Sequence, residues 1–273
     1  MNDQDRRNLL LKLLKRNQSE ATRRAIYELF AQWPEGAEKE KSLVFADQAL
    51  DAWDDRLRHI DSSWGWLYDS DKLASVARLA RAMSIYRREQ YGSRDLWAIA
   101  NSEHVRNLRY LTIVRSEVSS AAIKALSESP YLANLMHLEI RRTVLGDDIE
   151  YLLRSRAFPN LKTLKLIDVC ALRHRLHLIS QSIPFSNLSE IDLSENSLWS
   201  EGAAILSQAP WLRSIEKLEL RENGIHDGSI IALARSPYIQ SLKTLDLSKN
   251  PITEAGKESL LEIAREKRIR LIV

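Results

Sequence analysis

The sequence predicts an α/β fold: a right-handed solenoid with a parallel concave sheet, convex helices and an N-terminal α-helical cap. Two observations predict it. A phrase of the pattern L-x-x-L-x-L returns at intervals of 26 or 27 residues, and prolines follow most of the segments between the phrases. A fixed period indicates stacked coils that each repeat one unit of structure. The phrases begin at Leu108, Leu135, Leu161, Leu188, Ile215 and Leu242.

Each phrase predicts a short strand, because alternation places its second and third apolar residues on one face. In the last three units an asparagine follows the strand, at Asn196, Asn223 and Asn250. An amide at this turn can bond backbone groups of adjacent coils that would otherwise be buried without partners. We therefore expect an asparagine ladder. Asn187 lies between coils, and we expect no such role for it.

The second half of each unit predicts a helix. Apolar residues recur there near helical spacing, for example at Ile123 and Leu126. A proline then blocks helix continuation and removes an amide donor, so the chain must turn back toward the next strand. These prolines are Pro130, Pro159, Pro184, Pro210 and Pro237.

The phrase with its asparagine resembles the leucine-rich repeat, and a period of 27 residues with a helical second half is similar to the ribonuclease-inhibitor-like subclass. A second resemblance is shorter. Residues 43–47, L-V-F-A-D, are similar to a phrase of the helical domain that precedes leucine-rich repeats in some bacterial proteins. Gln48 stands where that phrase usually has tryptophan. This second resemblance implies a bacterial protein and no particular mechanism.

The repeat pattern predicts two domains. Residues 83–273 form the repeat domain, with a degenerate first coil over 83–107, six repeats of 26 or 27 residues and a terminal strand over 269–273. Residues 1–82 lack the repeat and are predicted to be helices that cap the first coil. The most regular of these helices has apolar residues that step by three and four, at Leu43, Ala46, Leu50, Trp53, Leu57 and Ile60.

Composition limits the location and the class of ligand. Of 273 residues, 44% are hydrophobic and 28% charged, and no apolar run approaches the roughly 18 residues of a membrane span. The single cysteine, Cys170, excludes an internal disulfide framework and favours a cytoplasmic location. A net charge of +3 is too small to favour nucleic acid. No catalytic motif is present, so we expect no enzyme, no cofactor and no metal.

The predicted function is protein binding. One outward position of each strand should form a column, namely Thr112, Glu139, Lys165, Asp192, Glu219 and Asp246, whose last three members are acidic. Like charges on adjacent strands repel, so we interpret the column as a surface for a basic protein partner. The other interpretation is that exposed strand positions carry charge for solubility. The predicted contacts are Glu139, Glu190, Asp192, Glu219, Arg221 and Asp246 on strands, with Glu195 and Glu222 just after them.

Two further functions stay open. The solenoid could regulate an enzyme by covering its site or by activating it in trans. Alternatively, the basic N-terminal segment could bind a membrane or nucleic acid, although we favour an ordinary amphipathic capping helix as its explanation. Its basic residues are Arg6, Arg7, Lys12, Lys15, Arg16, Arg23 and Arg24.

Three smaller features are ambiguous from sequence. The terminal strand, with Ile269, Leu271 and Val273, could pair with its counterpart in a homodimer. His174 and His177 lie one helical turn apart but lack further metal ligands. Trp64 and Trp66 could anchor a partner or pack the cap on the first coil.

Overall fold

A computed structural model describes residues 1–61, 74, 76–86, 92–169 and 185–273. The described residues form a sheet of nine strands in sequential order, and every neighbouring pair is parallel. This confirms the α/β solenoid. The strands are β1 (His59–Asp61), β2 (Ala82–Tyr86), β3 (Tyr110–Val114), β4 (His137–Arg141), β5 (Thr163–Ile167), β6 (Glu190–Asp192), β7 (Lys217–Glu219), β8 (Thr244–Asp246) and β9 (Arg270–Ile272).

Helices precede the sheet and connect most of its strands. The cap contains α1 (Asp3–Leu14), α2 (Glu20–Ala31) and α3 (Ala37–Ala49). The convex side carries α4 (Gly92–Ala100), α5 (Ser120–Glu128), α6 (Ile149–Leu153), α7 (Trp199–Ser207), α8 (Asp227–Ala234) and α9 (Glu254–Lys267). The helix expected in the coil after β5, together with Cys170 and Pro184, lies outside the described residues.

The inward residues of successive strands form one continuous apolar core. Leu111 pairs with Leu138 across β3 and β4, and Leu138 pairs with Leu164 across β4 and β5. All three side chains are at most 2% exposed. Burying such a side chain contributes about 1.5 to 3 kcal/mol, so the repeated leucines drive the stacking of the coils.

A backbone ladder fixes the coils to one another. The carbonyl of Arg81, just before β2, accepts the amides of Arg109 at 2.8 Å and Tyr110 at 2.9 Å in the next coil. The same pair of hydrogen bonds recurs at each following coil, up to the carbonyl of Glu216, which accepts the amides of Lys243 and Thr244. In the turn that follows each of β3 to β8, one residue adopts a left-handed backbone, with φ between 49° and 61°. These residues are Arg115, Arg142, Asp168, Glu195, Glu222 and Lys249.

The asparagine ladder forms as predicted. Asn223 Nδ2 donates to the carbonyl of Leu193 at 3.0 Å, and its Oδ1 accepts the amides of Asn196 at 3.0 Å and Leu198 at 3.3 Å. Asn250 bonds in the same way one coil later. The coils that begin at Leu108 and Leu135 place hydroxyls at this position, on Ser116 and Thr143. Ser116 Oγ donates to the carbonyl of Ile85 at 3.4 Å, which replaces part of the amide's bonding.

A second asparagine ladder runs along the other edge of the sheet, and it corrects our expectation for Asn187. Asn187 Nδ2 donates to the carbonyl of Pro159 at 2.8 Å. Asn134 and Asn160 make the equivalent bond to the preceding coil, at 2.8 and 2.9 Å. These side chains are exposed, so each bond competes with water and contributes less than a buried one.

The two ladders give a testable ranking. We expect Asn223→Ala to lower the free energy of unfolding by about 1 to 3 kcal/mol, because it leaves buried backbone groups unpaired. Asn187→Ala should cost less than about 1 kcal/mol, because water replaces its exposed bond. Asn17→Ala, at an exposed position between α1 and α2, is the control. Urea unfolding measures all three, and equal losses at Asn223 and Asn187 would contradict the ranking.

The prediction of a helix from Leu43 to Ile60 is wrong beyond Ala49. The chain leaves α3 through two short 3-10 turns and enters β1, where Ile60 pairs with Met83. Apolar residues spaced by three and four fit successive 3-10 turns as well as an α-helix, which is why the pattern misled. One strand of the sheet therefore lies within residues 1–82.

A buried charged cluster joins the cap to the first two coils. Arg58, whose side chain is 2% exposed, donates to the carbonyl of Leu79 at 2.8 Å and to Asp51 at 3.1 Å, and it forms an ion pair with Asp47. Arg81 Nη2 lies 2.9 Å from the same Asp47 oxygen. Asp47 is the last residue of the L-V-F-A-D phrase, so that phrase positions α3 against the sheet.

We expect Arg58→Ala to lower the free energy of unfolding by about 1 to 3 kcal/mol, because it removes a buried side chain and leaves the carbonyl of Leu79 without its charged donor. Arg24→Ala breaks an exposed pair with Glu28 and should cost about 1 kcal/mol or less. Chemical unfolding of both variants checks the difference. If the two variants lose the same stability, Arg58 does not anchor the cap.

Candidate functional site

The concave face consists of the outward side chains of the sheet, which stand in two columns. The first column is His59, Ala82, Tyr110, His137, Thr163, Glu190, Lys217 and Thr244, and the second is Asp61, Ser84, Thr112, Glu139, Lys165, Asp192, Glu219 and Asp246. The column expected from sequence is thus a structural column. Its two halves differ in chemistry.

Two acids of the predicted column have a structural role that neither interpretation of the column included. Asp192 is 7% exposed, and its Oδ1 accepts the amide of Ser194 at 2.9 Å. Asp246 Oδ1 accepts the amide of Ser248 at 2.9 Å and its hydroxyl at 2.7 Å. Both aspartates bond to their own strand ends, a local turn that short acidic side chains favour. They do not project freely from the sheet.

Most of the other predicted contact residues form ion pairs. Glu219 Oε2 lies 3.1 Å from Lys217 Nζ and 4.0 Å from Lys165 Nζ. At the strand ends, Glu195 lies 2.7 Å from Arg221, and this is the shortest contact between two predicted site residues.

Two further predicted acids also face nearby cations. Glu222 lies 3.1 Å from Lys249, and Glu139 lies 3.6 Å from Arg141. All four side chains are more than a fourth exposed, so these pairs are screened by water and hold the side chains only weakly.

The C-terminal half of the concave face keeps an excess of negative charge. We define it as the outward residues of β6, β7 and β8 with the residues that flank those strands. It holds Glu190, Asp192, Glu195, Glu216, Glu219, Glu222 and Asp246 against Lys217, Arg221, Lys243 and Lys249. Among the residues that the structure describes, each of the four cations pairs with one glutamate, which leaves Glu190 and the two aspartates as the excess.

The N-terminal half holds a shallow cavity of about 300 Å³ that sequence reasoning missed. Its lining includes His59, Ala82, Ser84, Tyr110 and His137. These residues differ in type from coil to coil, so no repeated letter marks them in the sequence. The only feature of the sequence that could have indicated the cavity is the type of side chain. His59, Tyr110 and His137 carry rings and occupy the same outward position of their strands.

Bonding inside this cavity orders the rings. His59 Nε2 lies 2.7 Å from Ser84 Oγ, and the rings of Tyr110 and His137 stack with centroids 4.2 Å apart and planes 7° apart. Burial lowers the pKa of His59 and that of His137, with nearby Arg23 and Lys162 acting in the same direction. Both imidazoles are therefore neutral at pH 7 and present polar, uncharged edges to the cavity.

The remaining sequence features have mixed outcomes. In the N-terminal segment Leu10 and Leu13 are buried, as expected of a capping helix. Arg6 and Arg24 form ion pairs within their own helices. The pairs His174 and His177, and Trp64 and Trp66, lie outside the described residues.

Within the described ranges, no group of three or more histidine, cysteine, aspartate or glutamate residues could hold a metal ion. None of the helices described is both long and apolar enough to cross a membrane.

The sequence profile of the Leucine Rich repeat family matches residues 212–234 and 238–261, which span the coil between β7 and β8 and the one after it. Residues 212–261 therefore contain leucine-rich repeats. Among solved structures, yeast Rad7 in its complex with Elc1 has a similar fold, with a TM-score of 0.54 and 18% sequence identity. The similarity covers 93% of this chain and 64% of that chain.

An internalin from Listeria monocytogenes aligns with a TM-score of 0.35 and 14% identity, over 75% of this chain and 69% of that chain. No curated protein matches the sequence.

From the two histidines of the cavity we predict how the stability of the protein depends on pH. Their pKa values in the folded protein lie below the ordinary value of about 6.5. The unfolded chain therefore binds more protons in that range, and stability falls as the pH drops through 6.5 toward the lowered values. We expect the urea midpoint to decrease from pH 7.5 to pH 5.5.

The double variant His59→Gln with His137→Gln should flatten this dependence. His226→Gln, at an exposed position before α8, is the matched control and should leave the slope as it is. A slope unchanged by the double variant would show that other groups cause it.

Proposed function

We propose that the protein binds a protein partner on its concave face, with the C-terminal half contacting basic residues of that partner. The excess negative charge of that half, centred on Glu190, carries this proposal. Charged surfaces steer partners and set their specificity more than they set raw affinity. Glu139, Glu190, Glu219 and Arg221, with Glu195 and Glu222 at the strand ends, are the proposed contacts, and Asp192 and Asp246 act by holding the strand ends in place.

The fold supports binding rather than chemistry. A parallel sheet built from repeated coils presents a long, rigid surface, which is how solenoid proteins make extended interfaces. Rad7, whose fold is similar, was solved in a complex with Elc1. The convex α7, α8 and α9 support the ribonuclease-inhibitor-like subclass, and the single cysteine supports a cytoplasmic location.

Regulation of an enzyme is the second form this function can take. A partner enzyme covered by the concave face would be inhibited, and one whose site the face completes would be activated. The same surface residues serve both, so the identity of the partner decides between them.

Selection of random peptides displayed on phage tests the proposal without a known partner. We expect the peptides bound by the full chain to be enriched in lysine and arginine. Glu190→Lys should weaken their binding by about tenfold or more, and added salt should weaken binding to the unmodified chain, because the attraction is electrostatic.

Glu258→Lys, on the exposed side of α9, is the matched charge reversal and should leave binding unchanged. Peptides without basic enrichment, or equal losses in the two variants, would rule out the C-terminal half as the binding surface.

A further inference from the structure

One exposed tryptophan has an unusual backbone in the turn that leads from β6 to the convex side. Trp199, the first residue of α7, is 46% exposed and has a φ of 55°. A left-handed backbone is uncommon outside glycine, and for a side chain as large as tryptophan it is an outlier. Residues held in such conformations cluster at functional sites, so this one directs attention to the side chain that it carries.

The coil itself does not require this conformation. The equivalent residues of three other coils, Ser119, His226 and Thr253, have φ values between −99° and −73°. In a fourth coil the equivalent residue is Gly146, with a φ of 54°, and glycine adopts this backbone without strain. Trp199 therefore stands in a conformation for which another coil has glycine.

The next coil holds the indole in place. The amide of Trp199 donates to the carbonyl of Asn223 at 2.9 Å. A Cβ on Gly224 would come within 2.8 Å of Trp199 Cε3, so the ring lies against the backbone of that glycine. An aromatic ring that is already held offers a large contact area at a small loss of side-chain entropy, and tryptophan is enriched among the residues that dominate binding.

The charges around Trp199 favour a cation as the group that it contacts. Glu195 lies in the same turn, and Glu222 lies at the equivalent position of the next coil. Both glutamates pair with cations of the coil that follows them, whereas Glu201 adds an exposed negative charge on the first turn of α7. A cation over the face of an aromatic ring is attracted by the ring's quadrupole, and tryptophan attracts it most strongly.

We propose that Trp199 anchors the basic protein partner by stacking with one of its arginine side chains. The inference rests on the proposed function, from which it takes the basic character of the partner. A guanidinium group is planar and more weakly hydrated than the ammonium group of lysine, so it stacks on an aromatic face more readily. Its N–H groups remain available for carboxylates such as that of Glu222. The interface thereby extends from the C-terminal half of the concave face to the turn before α7.

The indole N–H signals of the full chain in NMR spectra test this contact. Titration with hexa-arginine peptide should shift the signal of Trp199 in a saturable way. The signal of Trp97, which is 54% exposed on α4, should stay in place. Hexa-lysine should bind more weakly than hexa-arginine, and hexa-glutamate should cause no shift. Equal shifts of the two indole signals would overturn the proposal, and hexa-lysine binding as tight as that of hexa-arginine would overturn the assignment to arginine.

Substitution of the ring separates stacking from general attraction between charges. Trp199→Leu keeps an apolar side chain without an aromatic face and should weaken hexa-arginine binding by about threefold or more. Trp97→Leu is the matched control and should bind like the unmodified chain. Full affinity of Trp199→Leu would show that no cation stacks on the ring.

Trp199→Gly provides a second variant that the backbone accommodates. Glycine adopts the left-handed conformation without strain, as Gly146 does, so this variant should remain folded and should also lose affinity. Circular dichroism and the urea midpoint verify the fold of each variant. Full affinity of a folded Trp199→Gly protein would mean that the ring only covers Gly224, and would overturn the proposal.

The outcomes distinguish this inference from the proposed function. If hexa-arginine causes no shift while peptides selected for binding are still basic and depend on Glu190, only the role of Trp199 is overturned. If Glu190→Lys weakens hexa-arginine binding and neither Trp199 variant does, the same conclusion follows. If the Trp199 variants weaken binding and Glu190→Lys does not, the anchor is supported and the role of Glu190 is overturned.

Discussion

The backbone ladder between successive coils is the constraint on which the rest of this structure depends. The carbonyl of Met136 accepts the amides of Lys162 at 2.8 Å and Thr163 at 3.0 Å, and the same arrangement repeats along the sheet. It sets the distance between coils at one strand spacing, so residues in equivalent positions become neighbours. The leucines thereby form one core, the asparagines form ladders and the outward residues form the columns of the concave face.

The same constraint forces side chains of equal charge together, and the protein relieves the repulsion locally. Glu219 has Lys217 on its own strand and Lys165 two coils away within 4.0 Å. Asp192, between those two coils, turns to the amide of Ser194 instead. The concave face therefore tolerates its acids without losing their net charge.

The N-terminal end shows how the stack is closed. Arg58 and Arg81 precede paired strands, so two guanidinium groups lie about one strand spacing apart. Asp47 of α3 and Asp51 of the 3-10 turn that follows contact both of them and offset their repulsion. The cap therefore binds the first coils through a specific charge arrangement as well as through apolar burial, and this fixes the placement of α3.

The period of 26 or 27 residues alone determined the parallel sheet, the convex helices and the asparagines of the inner ladder, because each depends only on which residue type recurs. It also placed the acidic column correctly. Only the tertiary structure revealed β1, because Ile60 and Met83 are 23 residues apart and no repeated phrase precedes Ile60. Asn187 appeared to lie between coils until the stacking brought it to Pro159.

The ion pairs of the glutamates on the concave face were likewise decided by the tertiary structure. Lys165 and Glu219 are far apart in sequence, and nothing in either repeat indicates that their side chains reach across the coil between them. A repeat shows what its units share, whereas this site arises from side chains that differ between units and meet only when the coils stack.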